Sequence, residues 1–405
     1  MLFRFNLAAQ MLVAFVLAIL LGVFFGSSID VIKPLGELFL RLIKFIIAPL
    51  ILATLVVGVA SSANPKQLGR IGAKTIVYYL ATTAIAIIIG LIIAFALSPG
   101  KGLSLSEGGE IPEAAANEPQ SAVTTILNII PENPFNALTS GNVLQIIFFA
   151  LFIGVALTLI GEKGLPVLRF FEGFAEIMYK ITGIIMKLAP IGIVGLLAPV
   201  IGSYGTSVLL PLLKVILAVY LACLLHAFIV YSLTVKTFAK MNPFNFFKGI
   251  APAAFVAFST ASSSGTLPVT IKNTNENLKV PNRISSFVLP LGATINMDGT
   301  AIYQGVAVVF IAQFYGLELS FIQLLTVVLM TILASIGTAG VPGAGMVMLA
   351  MVLTSVNMPL EGIALIAGID RILDMMRTSL NVVGDASAAV VVAGSEKALG
   401  EKEAA

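Results

Sequence analysis

Near the end of the chain, five polar side chains share one face of an apolar stretch. Between residues 368 and 386 the sequence is largely apolar, yet it holds Asp370, Asp374, Arg377, Asn381 and Asp385. The steps between them are 4, 3, 4 and 4. That spacing predicts an α-helix with all five on one side. Arg371 is the only other charge there. A solvated face on a soluble helix would explain such a stripe, but composition argues against it. The chain is 58% apolar and 11% charged, with mean hydropathy +1.04, whereas a soluble domain is about 25% charged. Inside a membrane each Asp or Arg costs roughly 2.5–3.5 kcal/mol, so the four together cost on the order of 10 kcal/mol. Ionisable groups kept at that depth mark an ion or substrate pathway. A buried Asp374–Arg377 pair that only holds helices together is the structural alternative, but Asn381 and Asp385 carry the stripe beyond such a pair.

The rest of the 405 residues reads as an all-α polytopic membrane protein. Apolar spans at 7–28, 33–60, 75–98, 121–161, 166–201, 207–235, 284–312 and 362–394 predict eight transmembrane helices. The first is too long for a signal h-region and lacks a small-residue cleavage site, so it reads as a retained span. Two further apolar segments, 249–272 and 322–360, are each broken in the middle by small residues. The positive-inside rule orients the set. Lys66, Arg70 and Lys74, then Lys236, Lys240 and Lys248, then Lys272, Lys279 and Arg283 belong to the cytoplasmic side. The loop 99–120, with Glu107, Glu110, Glu113 and Glu118 against Lys101, belongs outside, as do Glu318 and Glu361. Both termini are then cytoplasmic. The two broken segments enter and leave on one side each, the first from inside and the second from outside. Such re-entrant helical hairpins, facing one another as inverted repeats, are the signature of a secondary transporter with its site at the midplane. Arg41 and Lys44, within the second span, read as snorkelling or a domain contact.

Other classes fit poorly. The single cysteine, Cys223, excludes an internal disulfide and any cysteine-cluster metal site. The single histidine, His226, shares an apolar span with it, and both read as packing residues. An enzyme is therefore not expected. The net charge of +3 sits in loops and speaks to topology, not to nucleic acid.

Three further motifs carry chemistry. The first broken segment has Ser262, Ser263 and Ser264 before Gly265, Thr266, Leu267 and Pro268. Serines ahead of a half-helix supply hydroxyls and free backbone N–H groups that suit a carboxylate, although ordinary N-capping explains them too. The second has Gly337, Gly340, Gly343 and Gly345 around Pro342, a segment that cannot continue a helix and reads as a gate. In the seventh span, Asn296, Met297 and Asp298 lie between Gly292 and Gly299, ahead of Thr300. Local unwinding there would expose carbonyls beside a carboxylate, a cage for a hard cation. Tyr79, Thr82 and Thr83 share a face of the third span, and threonine back-bonding to its own helix accounts for them as well.

Together, the motifs at 262–268, 296–300, 337–345 and 374–385 resemble those of the dicarboxylate/amino acid:cation symporter family, which includes archaeal aspartate and vertebrate glutamate transporters. The resemblance covers essentially the whole chain, in the same order. It implies an inner-membrane secondary symporter that imports glutamate or aspartate with sodium by an elevator mechanism, without an organic cofactor. Neutral amino acid, C4-dicarboxylate and proton-coupled carriers are the alternatives within the family. By the resemblance, Arg377 pairs with the substrate side-chain carboxylate and Asp374 holds the amino group. Thr300 and Gly345 lie around that carboxylate, and Ser263, Val341, Thr378 and Asn381 complete the pocket. One sodium site would use Gly292, Asn296, Asn381 and Asp385, and a second Thr294, Ser335, Ile336 and Thr338. A third would use Tyr79, Thr82, Thr83, Asn296 and Asp298. The resemblance further implies a homotrimer, with a scaffold (1–64 and 99–205), a mobile transport domain (65–98 and 206–395) and a cytoplasmic tail (396–405). Relatives usually carry a further arginine at one of two positions held here by Ala261 and Met375, while Arg371 lies one turn before Asp374.

Overall fold

The computed structural model describes residues 7–62, 65–101, 130–337, 340 and 343–397, and every regular element among them is helical. In chain order these are α1 (Leu7–Phe25), α2 (Lys33–Ser62), α3 (Pro65–Leu97), α4 (Pro134–Ser140), α5 (Val143–Ile160), α6 (Leu165–Met186) and α7 (Ala189–Tyr204). They continue with α8 (Leu209–His226), α9 (Ser232–Phe238), α10 (Pro243–Thr260), α11 (Ser263–Glu276) and α12 (Asn282–Ile295). The last are α13 (Asp298–Phe314), α14 (Phe321–Gly337), α15 (Ala344–Ser355), α16 (Ile363–Ala367) and α17 (Asp370–Ser395).

Among the described residues, five helical stretches are long and apolar enough to cross a membrane: Ala9–Ala60, Arg70–Leu97, Gln145–Met186, Gly205–Phe238 and Asn282–Phe314. Large apolar side chains point outward from them, among them Phe24, Phe45, Val77, Phe152, Leu159 and Phe170. The polar residues Asn296, Asp298, Asp370, Asp374, Arg377 and Asp385 are buried. Apolar outside and polar inside is the pattern that lipid demands, because no water reaches the hydrocarbon to pair an exposed polar group.

Helix breaks place the site. The first broken segment folds back as α10 packed on α11. At the turn, Ala261 closes α10 in the left-handed region (φ 52°) and Ser262 is extended. In the second broken segment α14 packs on α15. Thr338, Ala339, Val341 and Pro342 at its tip lie outside the described residues. The seventh span unwinds at Asn296 and Met297, between α12 and α13, as the glycines around Asn296 and Asp298 predict.

Four spans differ from the sequence expectation. The fifth is two helices parted at Lys187 and Leu188, because Pro190 in the first turn of α7 has no N–H for the carbonyl one turn back. The sixth carries a π-helical turn, Ala227–Tyr231, between α8 and α9. The last divides at Gly368 and Ile369 into α16 and α17, so Asp370 begins a new helix. Of the expected fourth span, residues 121–129 lie outside the described set, and the remainder forms α4 and α5.

Packing is dense around two helices. α17 is surrounded by α10, α11, α12 and α13, with α8 and α3 behind. α2 packs on α5, α6 and α7, and α1 on α7. Small residues let these helices approach: an added Cβ at Gly36 of α2 would lie 2.8 Å from the backbone of Gly195 in α7. Beyond the end of α17, Glu396 accepts hydrogen bonds from Arg70 and Lys74 of α3, and these cations hold its carboxyl below the usual range.

Candidate substrate and cation site

The stripe on α17 faces inward along its whole length. Arg377 is 1% exposed and sits at its centre. Its Nε donates to Asp374 Oδ1 at 2.9 Å and its Nη1 to Asp370 Oδ1 at 2.9 Å. The guanidinium lies over the ring of Tyr303, 4.4 Å from the centroid, a cation–π contact from α13. Nη2 is buried and without a hydrogen-bond partner. The pairing that periodicity offered as the structural alternative thus exists, and it leaves one arm of the fork free. Asp374 also accepts from Thr378 Oγ1 at 3.2 Å and from the backbone N–H of Gly343 at 3.1 Å.

One cavity opens beside Arg377. It is lined by Ala261, Ser263, Met297, Thr300, Gly340, Ala344, Gly345, Asp374, Arg377, Thr378 and Asn381. The eight expected substrate residues are thus placed there except Val341, which lies outside the described residues. Four segments converge: both tips, the unwound part of the seventh span, and α17. The tips touch each other, with Ser262 Oγ donating to the Gly340 carbonyl at 2.8 Å and Ser264 N–H to the same oxygen at 3.2 Å. Ser262 Oγ also caps α11 by accepting from Gly265 N–H at 3.0 Å. Gly343 turns the chain into α15 at φ 82°, where a side chain would be strained.

Gly345 shows how tightly the guanidinium is held. A Cβ there would stand 2.6 Å from Arg377 Cζ. The group cannot retreat, because Asp370, Asp374 and Tyr303 fix it from the other sides. Overpacking of this kind costs about 1–3 kcal/mol. Gly345→Ala is therefore expected to weaken anionic substrate binding about ten- to hundredfold, measured by calorimetry. Unchanged affinity would mean that the guanidinium is not locked.

The expected cation residues divide unequally. Asn296 Nδ2 donates to Asp385 Oδ1 at 2.9 Å and to the Asn381 carbonyl at 3.2 Å. Asn381 Oδ1 accepts from Gly299 N–H at 2.7 Å. Gly292 lies beside both Asp385 Oδ1 and Tyr79 Oη, so Gly292, Asn296, Asn381 and Asp385 form one buried group. Thr83 Oγ1 donates to Asp298 Oδ1 at 2.7 Å, which joins α3 to the first turn of α13. Tyr79 and Thr82 instead bond backbone oxygens, of Val288 at 3.0 Å and of Tyr79 at 3.2 Å respectively. The remaining set is not joined by any described contact. Thr294 is exposed and bonds Leu291 O, Ser335 bonds Ile332 O, the Ile336 carbonyl lies against Gly58 of α2, and Thr338 lies outside the described residues. The helices that carry Thr294 and Ser335, α12 and α14, do pack together.

Several site residues escape sequence reasoning. His226 Nε2 and Tyr231 Oη both reach Asp298 Oδ2, at 3.2 and 2.8 Å. Nothing in the spacing of an apolar span marks them. Tyr303 has a faint signal, standing three residues after Thr300 on α13. Arg371 does not enter the cavity lining; its Nη2 donates to the carbonyls of Ser259 and Thr260 at the end of α10, at 3.1 and 3.5 Å.

An apolar-faced helical fold whose buried arginine and carboxylates line a cavity between broken helices defines a polytopic membrane transporter. The chain belongs to the sodium:dicarboxylate symporter family, whose model matches residues 7–395. A proton/sodium-glutamate symport protein of Geobacillus stearothermophilus is 41% identical over 409 residues, covering 99% of this chain and 97% of its own. A proton/glutamate-aspartate symporter of Escherichia coli is 39% identical, with 99% and 95% covered. A C4-dicarboxylate transport protein of Bacillus subtilis is 34% identical, with 98% and 95% covered. The chain is accordingly a transporter of the symporter class and not an enzyme.

Proposed function

We propose that this protein is a secondary symporter of the inner membrane that imports glutamate or aspartate coupled to sodium. The observation that carries this reading is Arg377, whose Nη2 is buried and unpaired on a cavity wall that also holds Asp374. A substrate carboxylate would take the free arm of the guanidinium, the planar fork suited to it. Its ammonium group would take Asp374, and its backbone carboxylate the serine tip. A C4-dicarboxylate carrier is the second reading, favoured by the relatives so named. Against it, a dicarboxylate has no ammonium and would set its own charge against Asp374. Calorimetric titration of the purified protein in sodium should show aspartate or glutamate binding at least about 100-fold tighter than succinate, a difference of roughly 2.7 kcal/mol. Equal affinities would favour the dicarboxylate carrier.

The cation residues fit a hard ion. The carboxylates and carbonyls of the group would give it the oxygen ligands such ions require, and Asn296 Oδ1 is buried without a hydrogen-bond partner. Asp385 and Asp298 would supply negative charge and the unwound backbone its carbonyls. Sodium is here a co-substrate; a proton is the rival, since relatives are named for both.

The eight crossings, the two re-entrant hairpins related as inverted repeats, and both termini in the cytoplasm complete the reading. Packing supports a division into a scaffold (1–64, 99–205) and a transport domain (65–98, 206–395), because α1, α2 and α5–α7 pack mainly with one another and α3 and α8–α13 around α17, while α14 and α15 touch both α2 and the transport helices and α16 rests on α7. Sliding of the second group past the first would be the elevator step. On α6, Arg169, Glu172, Glu176 and Lys180 are exposed at helical spacing. Exposed charges of both signs on a membrane helix call for cover, which supports association of several copies; a homotrimer is the assembly that the family resemblance implies.

The second tip would be the gate, with closure stabilised by the Ser262–Gly340 and Gly343–Asp374 contacts. A spin label at Ala344, in a variant that still transports, should be mobile in the empty protein and with sodium alone, and restricted with sodium plus aspartate. The same mobility in all three conditions would remove the gate from this segment.

A further inference from the structure

His226 is the only histidine in the chain and is fully buried at the end of α8. The π-helical turn Ala227–Tyr231 follows directly. A π turn brings residue i+5 back over residue i, and the rings of His226 and Tyr231 meet edge-to-face, 4.8 Å apart. Both then reach one atom. Tyr231 Oη donates to Asp298 Oδ2 at 2.8 Å, and His226 Nε2 lies 3.2 Å from the same oxygen. An ionised carboxylate is an acceptor only, so the ring meets it with a hydrogen on Nε2. Nδ1 is buried with no partner. An apolar side chain would fill this space without that penalty, so the cost is justified only if the donor at Nε2 is used.

Lone-pair arithmetic shows its use. A carboxylate oxygen accepts about two bonds. Oδ2, with Tyr231 and His226, is saturated; Oδ1 has only Thr83, at 2.7 Å, and keeps one position open. We infer that His226, together with Tyr231, is a positioning residue that occupies Oδ2 and presents Asp298 to a cation through Oδ1 alone. The inference rests on the reading that Asp298 is a cation ligand. The π turn is then a functional device, because a regular helix would carry Tyr231 about 100° further round and off the carboxylate.

The test is sodium titration by calorimetry on the detergent-purified full chain, without substrate. Loss of an outer-shell partner typically weakens metal binding 10–100-fold. His226→Leu should therefore weaken sodium binding at least about tenfold. His226→Gln, which restores a neutral donor, should return it to within about threefold of the parent. Tyr231→Phe keeps the ring, removes the other donor on Oδ2, and should also weaken binding; it serves if the leucine variant does not fold. Asp298→Asn is the control. If it loses sodium while His226→Leu or Tyr231→Phe overlays the parent, the positioning role is wrong and the cation reading stands. Failure of glutamine to restore binding also overturns the role. If Asp298→Asn itself overlays the parent, the cation reading falls and this inference with it.

Discussion

Arg377→Ala should lower aspartate affinity by a factor of about 30 to several thousand, equivalent to the 2–5 kcal/mol lost when one partner of a buried, hydrogen-bonded charge pair is truncated. The structure adds a second consequence that spacing alone does not show. Arg377 pairs with both Asp370 and Asp374, at 2.9 Å each. Its removal leaves two buried carboxylates without their cation, and breaking a buried pair costs about 3–5 kcal/mol. Stability must therefore be measured beside affinity. Asp370→Asn combined with Arg377→Ala removes part of that penalty and keeps the cavity wall at Asp374. If the double variant regains thermal stability but not aspartate binding, the arginine is a substrate ligand. Aspartate affinity equal to the parent in either variant contradicts the assignment.

Asp374→Asn separates amino acids from dicarboxylates. Asp374 Oδ1 accepts from Arg377 and Thr378, and Oδ2 accepts from Gly343 N–H. Asparagine retains one acceptor, so it can keep the Arg377 side while placing an NH2 toward Gly343, donor against donor. Aspartate affinity should fall about 30-fold or more, in line with the loss of an ammonium–carboxylate pair. Succinate affinity should fall less, or rise, because a repelling charge is gone. If both ligands weaken equally, Asp374 serves the Arg377–Gly343 contacts and not the substrate amino group. The Gly343 bond also makes Asp374 a link between α17 and the second tip, so the variant should raise hydrogen exchange at 343–345 even without substrate.

The sequence made the local features legible and left the long-range ones unread. Steps of 4, 3, 4 and 4 sufficed to put Asp370 to Asp385 on one helix face, because helical periodicity is a property of the local chain. Glycine, asparagine and aspartate in an apolar span sufficed to locate the unwinding at Asn296 and Met297. The proline at 190 was visible, but an apolar run long enough for one span concealed the break it makes at Lys187 and Leu188. The π turn at 227–231 has no proline or glycine to announce it; the buried Asp298, 67 residues after Tyr231, is what its geometry serves. For the same reason His226 reads as packing in the sequence and as a carboxylate partner in the structure. The contact of Ser262 with Gly340 spans 78 residues and depends on both hairpins folding back. Periodicity cannot report such pairs.

Uptake of labelled aspartate into proteoliposomes tests the central claim most directly. The membrane potential is fixed throughout, and in the sodium arm internal and external pH are clamped equal. Under an inward sodium gradient, aspartate should accumulate above its external concentration, and it should leave again when the gradient is dissipated. With choline replacing sodium and an inward proton gradient imposed instead, uptake should stay at the level of passive leak. Accumulation driven by the proton gradient without sodium would contradict the account.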